Sequence, residues 1–143
     1  MNYWIFKCNP EKYLLDDRLK NPETLTSWQV TRYRADIHPG DKAFIWRCGS
    51  NRGICGVMDI ETKPMAIPEL DVEKPYCVGV DIGIAVRVIG TIVQRFPCIS
   101  HKILRSIPEL ANLSVSHGFQ QTTNFRVTRE EGETIMKIIK KED

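Results

Sequence analysis

The sequence predicts a mixed α/β (α+β) domain, a small β-barrel packed by helices, and three observations carry that expectation. First, the apolar runs Lys42 to Cys48 and Ile54 to Ile60 are joined by Gly49-Ser50-Asn51-Arg52-Gly53, the pattern of a β-hairpin. By the two-residue period Phe44 and Trp46 share one face, and Ala43, Ile45 and Arg47 share the other. Both faces are largely apolar, so both should be covered, which suits a barrel strand under helices better than an open ribbon. Second, Tyr76 to Phe96 is apolar and β-branched, with Gly79, Gly83 and Gly90 at expected bends or bulges. Third, the chain closes on a helix with a helical-period apolar face: Ile135, Met136, Ile138 and Ile139. A length of 143 residues suits one domain spanning 1–143, with no repeat, low-complexity tract or linker.

The elements follow in order. Tyr3 to Cys8 is a strand by its aromatic and β-branched content. Asn9-Pro10-Glu11 has the form of a helix start: Asn as N-cap, Pro in the first turn, Glu at the positive end of the dipole. Tyr13, Leu14 and Leu19 give that helix its apolar stripe, and Asn21-Pro22 ends it. Leu25 to Ile37 is a connection carrying Trp28, and His38-Pro39-Gly40-Asp41 is a turn that releases the chain into the hairpin. Thr62 to Pro75, with Pro64, Pro68 and Pro75, is a long loop, and long loops in compact domains often carry function. Ile84 to Ile89 is the clearest strand of the following run. A short helical turn is expected around Ser106–Leu110, and a last strand within Phe119 to Val127. Thr128-Arg129-Glu130-Glu131 is a capping box for the closing helix.

Composition bounds the function. Apolar content of 42% and charged content of 27% are ordinary for a soluble domain, and no apolar run approaches the roughly 20 residues of a membrane span. Net charge is +2, but Arg32, Arg34, Lys42, Arg47 and Arg52 outnumber Asp36 and Asp41 in one stretch, a local basic surplus able to follow a phosphate backbone. Five scattered cysteines, without a CxxC pair or a leader-like segment before Tyr3, lead to the expectation of reduced thiols in a cytoplasmic protein. Cys48 and Cys55 flank the hairpin turn and are the one pair the sequence could set face to face. His38, His101 and His117 have no metal-ligand spacing, and no GxSxG elbow, phosphate loop or paired-carboxylate motif is present. The expectation is a binding protein without cofactor, metal or catalytic residues.

The order YWIFKCNPEKY, SWQV, IHPGDKAFIWRCGSNRGICGVMDI and TNFRVTREEGETIMKII resembles the EVE domain, a member of the PUA-like superfamily related to the methyladenine-reading YTH domain. The likeness runs from Tyr3 to Ile139. It implies a bent barrel with an aromatic-walled pocket for a flipped-out modified base, in DNA or RNA. Lys7, Cys8 and Asn9 fall where YTH domains carry a Lys-Ser-Asn run, which makes Asn9 the reader of the base edge by analogy. Trp28 falls at the cage tryptophan, and Gln29 at the residue whose backbone meets the base. Trp46 stands at an aromatic position of the central strand, as pocket floor or wall. Gln121, with Gln120, lies in the loop where YTH domains direct an arginine at phosphate; here its amide is left to read a base edge. Arg32, Arg34 and Arg52 are the phosphate-holding candidates. This chain departs from the pattern in the Thr62–Pro75 loop, which has no aromatic residue, so Met65, Ile67 and Tyr76 are the side chains left to complete the cage.

The alternatives to modified-base recognition are two. The same pocket would also suit a free nucleobase or nucleotide, in a small-molecule binding protein or enzyme. It would equally serve a protein-interaction module.

Overall fold

The computed structural model describes residues 1–79, 81–117 and 123–142. It holds seven strands in one sheet: β1 (Tyr3–Cys8), β2 (Leu25–Gln29), β3 (Lys42–Arg47), β4 (Gly53–Ile60), β5 (Met65–Ile67), β6 (Ala85–Ser100) and β7 (Asn124–Val127). Helices α1 (Leu15–Lys20), α2 (His101–Arg105), α3 (Ser114–His117) and α4 (Arg129–Glu142) surround it, with 3-10 turns at Lys74–Tyr76 and Pro108–Leu110. The path across the sheet is β2-β6-β4-β3-β1-β7, with β5 added to β6. Among the described residues only the β1–β3 pairing is parallel. No helix among the described residues is long and apolar enough to cross a membrane.

The hairpin lies at the centre of this sheet, and alternation along it sorts the core into two sides. Phe44, Trp46, Ile54 and Val57 join Tyr3, Ile5 and Phe125 on the face covered by Leu104, Leu110, Leu113, Ile135 and Ile139 of the helical segments. Trp4, Phe6, Ala43, Met58 and Val88 point to the opposite, concave face and pack with Val30 and Ile37. The doubly apolar strand is therefore doubly covered, as its sequence requires.

The turn before β3 is held by Asp41, which is buried. Its carboxylate accepts from Asn2 N at 2.9 Å, Trp4 Nε1 at 2.9 Å and His38 N at 3.0 Å. Gly40 occupies the left-handed region at φ 94°, which the turn demands. At the other end of the chain the capping box forms in full: Glu131 N donates to Thr128 Oγ1 at 3.1 Å, and Thr128 N donates to Glu131 Oε1 at 2.9 Å.

Several expectations change. The helix expected from Asn9 begins only at Leu15. Asn9 instead makes a turn, its Oδ1 accepting from Glu11 N at 3.0 Å, and then Tyr13 bridges to Cys77 while Leu14 N donates to Tyr76 O at 2.8 Å. Those tertiary bonds pull the backbone out of the helical path. The connection after Pro22 contains β2, the Thr62–Pro75 loop contains β5, and the run after Ile84 is one strand of 16 residues. Register shifts in its pairing with β4, between Ile54 and Gly56 and between Val57 and Met58, bend that long strand. The last strand is described from Asn124 on; its expected start at Phe119 lies outside the described residues.

The barrel expectation also needs correction. Among the described residues no backbone ladder joins β2 to β7, so the sheet is curled but open. Its edges meet through the side chain of Asn124, which is fully buried. Asn124 Oδ1 accepts from Thr31 N and Arg32 N, each at 3.0 Å, and Nδ2 donates to Arg32 O. Beside it Thr123 Oγ1 donates to Gln29 O at 3.3 Å. The chain leaves the extended ladder after Gln29, so a side-chain amide does the joining that strand pairing does in a closed barrel. Replacing Asn124 by Ala removes its three hydrogen bonds to the backbone of Thr31 and Arg32 and leaves a gap in the seam, and is expected to cost about 2–3 kcal/mol of stability in urea unfolding.

Candidate functional site

A cleft of about 690 Å³ opens beside this seam, between the ends of β1 and β2 and the segment from Glu69 to Ile82. Its size lies within the range of small-ligand sites, roughly 300–1,000 Å³. Trp28 of β2 forms one wall. It is half-buried, its ring resting 6.2 Å from Phe6 at an interplanar angle of 28°. Tyr13 forms a second wall, 6.4 Å from Trp28 and tilted by 56°, and is backed by Tyr76 at 6.3 Å. The broken helix start creates this wall, because the Tyr13–Cys77 bridge delivers the ring to the cleft.

Below the rings lies a buried charged group. Glu73 is 2% exposed, and its carboxylate accepts from Tyr13 Oη and, at 3.0 Å, from Thr26 Oγ1. Arg18, 1% exposed, places Nε 3.5 Å from Glu73 Oε1, and its Nη atoms donate to Glu23 O at 3.0 Å and Leu25 O at 2.6 Å. Burial, the Glu73 charge and the hydrogen bond to it push the Tyr13 hydroxyl far above its ordinary pKa. Tyr13 therefore stays a donor, and its ring is fixed in place. A second pair borders the cleft: Arg87 Nη2 lies 3.3 Å from Glu69 Oε2, and Ser27 Oγ donates to Glu69 Oε1 at 3.5 Å. Glu69 keeps partial solvent exposure, so it offers acceptor capacity toward the cleft.

The expected site residues divide as follows. Trp28, Asn9, Lys7, Cys8 and Gln29 all line the cleft. The ammonium of Lys7 also stands 5.7 Å from the Phe125 ring centroid. Trp46 does not join them: it is 3% exposed, buried on the helix-covered face edge-on to His101, 5.5 Å between ring centroids. Strand alternation puts it opposite the concave side on which Trp28 packs. Arg32 and Arg34 follow β2 along the seam. The Arg32 guanidinium lies 5.0 Å over Tyr33, and Arg34 Nε donates to Val30 O at 3.1 Å. Arg52 sits in the β3–β4 turn and is not among the cleft-lining residues. Gln121 and Gln120 lie outside the described residues.

Of the three side chains left to complete the cage, Tyr76 backs Tyr13, whereas Met65 and Ile67 belong to β5 and do not line the cleft. The Thr62–Pro75 loop contributes carboxylates, Glu69 and Glu73, in place of an aromatic ring. The sequence reading missed Tyr13, Glu69, Glu73 and Arg87. The length of that loop was the one signal toward Glu69 and Glu73; Tyr13 and Arg87 lie outside it.

All five cysteines are free, and Cys48 and Cys55 do not pair. Cys55 Sγ donates to Gly53 O at 4.0 Å, and Cys98 Sγ on the neighbouring strand β6 donates to Asn51 O at 3.7 Å. Burial, with the Cys48, Asp16 and Glu73 charges, pushes the Cys8 thiol up to about 12. Burial and the Glu69 and Glu73 charges push Cys77 up to about 11. Neither cleft thiol is a ready nucleophile at neutral pH, because the thiolate is the reactive form. At pH 8, Cys77 should therefore react with iodoacetamide roughly a hundredfold more slowly than an ordinary thiol. The native state holds the Cys8 proton more tightly than the unfolded chain does. Its contribution to stability is thus complete below the ordinary thiol range and lost as pH rises from about 9 toward about 12. Urea midpoints should fall between pH 8 and pH 10.5, and Cys8→Ala should flatten that slope.

The described residues thus form a mixed α+β domain whose curled sheet carries an aromatic- and carboxylate-lined cleft at its seam. The EVE domain profile matches residues 2–138, and the chain belongs to that family. Solved structures share the fold at low identity. A hypothetical protein from Leishmania major superimposes with a TM-score of 0.70 at 18% identity, covering 99% of this chain and 96% of that one. The human THYN1 protein, solved in complex with 5-methylcytosine-containing DNA, superimposes with a TM-score of 0.69 at 19% identity, over 100% of both chains. The ASCH protein of Zymomonas mobilis gives 0.59 at 10% identity, with 96% of each chain covered. No curated protein sequence matches this chain.

Proposed function

We propose that this EVE domain binds a nucleic acid, DNA or RNA, and receives a modified, most simply methylated, base in the cleft walled by Trp28 and Tyr13 without changing it chemically. The observation that carries the reading is the aromatic pair itself: two tilted rings over a cleft whose rim offers the amides of Asn9 and Gln29 and the carboxylate of Glu69. A base stacked on an aromatic ring gains roughly 1–3 kcal/mol, and a methyl group adds apolar surface to that contact. Asn9 donates or accepts, and Glu69 accepts from an exocyclic amine. Phosphates flanking the flipped nucleotide meet Lys7, Lys12, Arg32 and Arg34. THYN1, solved on 5-methylcytosine DNA, shares the whole fold and supports a nucleic-acid partner. The five free thiols of the present chain suit a reducing compartment, the cytoplasm in this reading.

Tryptophan fluorescence titration tests it. Oligonucleotides differing in one base (plain, N6-methyladenine, 5-methylcytosine and 5-hydroxymethylcytosine, as DNA and as RNA) would be compared at two salt concentrations. Quenching by one modified oligonucleotide, weakening with salt, is the expected result. Tight, salt-independent binding of a mononucleoside would instead favour the free-nucleotide reading, and no selectivity among oligonucleotides would sink the base-reading one.

A further inference from the structure

Val78, Gly79, Asp81 and Ile82 form the outer lip of the cleft, and apolar side chains there and at Ile84 stand in water. Val78 is 50% exposed, Ile82 62% and Ile84 71%, the last the most exposed large apolar residue among those described. Val78, Gly79, Asp81 and Ile82 line the cleft, and Ile84 stands just beyond them. Large apolar side chains exposed close together in the chain beside a binding cleft mark a contact surface more often than scattered single residues do.

The lip is built to hold these side chains out. Its first stem is tied by Val78 N donating to Lys12 O at 2.9 Å and by the Tyr13–Cys77 bridge. Its second stem is tied by Arg87, 2% exposed, whose Nη1 donates to Gly83 O at 3.1 Å. Gly83 N donates to Asp81 Oδ1 at 2.7 Å, and Gly79 and Gly83 take φ of 96° and 73°, a backbone region that side chains rarely enter. The left-handed conformation at Gly83 is thus held by a buried guanidinium. The isoleucines are thus presented rather than folded back onto the core. Lys12 and Lys74 border the same lip, Lys74 paired with Asp71 at 3.0 Å, and Asp81 sets a carboxylate on it, so the lip's distinguishing feature is apolar exposure and not charge.

We propose that Ile84, with Ile82 beside it, is a wedge that enters the base stack of a duplex and fills the place vacated by the base in the cleft. The inference rests on the base-reading function above and extends it to double-stranded nucleic acid. A flipped base leaves a gap bounded by two apolar base faces, and aliphatic side chains fill such gaps in other proteins that kink or open a duplex. An aliphatic residue at the lip of the receiving cleft, on an anchored loop, has the chemistry and position for that role. Ile84 is a positioning residue here, since it meets the neighbours of the recognised base and not the base itself.

The test compares the full chain with Ile84→Ser and Ile84→Leu on one 5-methylcytosine oligonucleotide, single-stranded and in duplex, with 2-aminopurine beside the modified base. Wild type should raise 2-aminopurine emission on the duplex. Ile84→Ser should weaken duplex binding at least tenfold and abolish the emission change, with single-strand affinity held within twofold, and Ile84→Leu should restore both. Unchanged duplex affinity in Ile84→Ser, or an equal loss on both substrates, would overturn the wedge and leave base reading standing. Failure of wild type to select the modified base in either form would overturn base reading, and the wedge with it. Ile84 is exposed, so thermal melting of all three proteins should coincide.

Discussion

Replacing Trp28 by alanine is expected to abolish discrimination between a modified and a plain oligonucleotide. Trp28 forms one aromatic wall of the cleft, and a base stacked against it loses roughly 1–3 kcal/mol of contact when the ring goes, a factor of about 5 to 150 in affinity. The substitution also removes the ring that rests on Phe6 and touches Tyr13. Because Trp28 is only half-buried, the stability lost should stay near 2 kcal/mol, below the 3–5 of a fully enclosed tryptophan. Trp28→Phe keeps a stacking face and should recover part of the affinity and most of the stability. Circular dichroism and isothermal titration on the three proteins separate the two effects. Retained selectivity in the folded alanine variant would remove Trp28 from the site, and a variant that cannot fold would assign it to the core.

The second large effect is expected at Glu73. This carboxylate lies at the centre of the cleft floor, bonded to Tyr13 and Thr26 and facing Arg18, with both charged side chains almost wholly out of water. Removing one member of such a pair leaves an uncompensated buried charge, so Glu73→Ala should cost about 3–5 kcal/mol and loosen Tyr13 from its wall position. The double variant Arg18→Met with Glu73→Leu should be far less damaging, because it removes both charges together. Arg18 also donates to the carbonyls of Glu23 and Leu25, so some loss will remain from those unpaired acceptors. Urea unfolding of the single and double variants decides the matter. If Glu73→Ala is as stable as wild type, the floor is not the anchor of the cleft. Weakened base binding in the stable double variant would then measure how far Tyr13 positioning depends on its acceptor.

The features legible in the sequence were local ones. The hairpin from Lys42 to Ile60 follows from its alternation and its glycine-containing turn, and the capping box at Thr128 from two residues three apart. Trp28, Asn9 and Gln29 were reached through family resemblance, and the fold brings them to one cleft. Trp46 shows where that reasoning ends. Its strand was right, but which apolar face meets helices and which meets the cleft depends on where α4 and the curl of the sheet lie, and no residue of β3 encodes that by itself. Asn9 shows the opposite difficulty: a sound helix-start signature was overridden when Tyr13 and Leu14 found partners at Cys77 and Tyr76, more than sixty positions along the chain.

By itself, then, the sequence determined a mixed α+β domain of EVE type, its central hairpin and its closing helix. Those depend on periodicity, turn chemistry and capping between near neighbours. Tertiary structure alone decided that the sheet stays open and is joined by Asn124, that Tyr13 rather than Trp46 faces Trp28, and that buried Glu73 and Arg18 support the cleft floor. Each of these pairs residues far apart in the chain or divided by a strand's alternation. Their energies depend on burial and distance, which exist only once the sheet has curled.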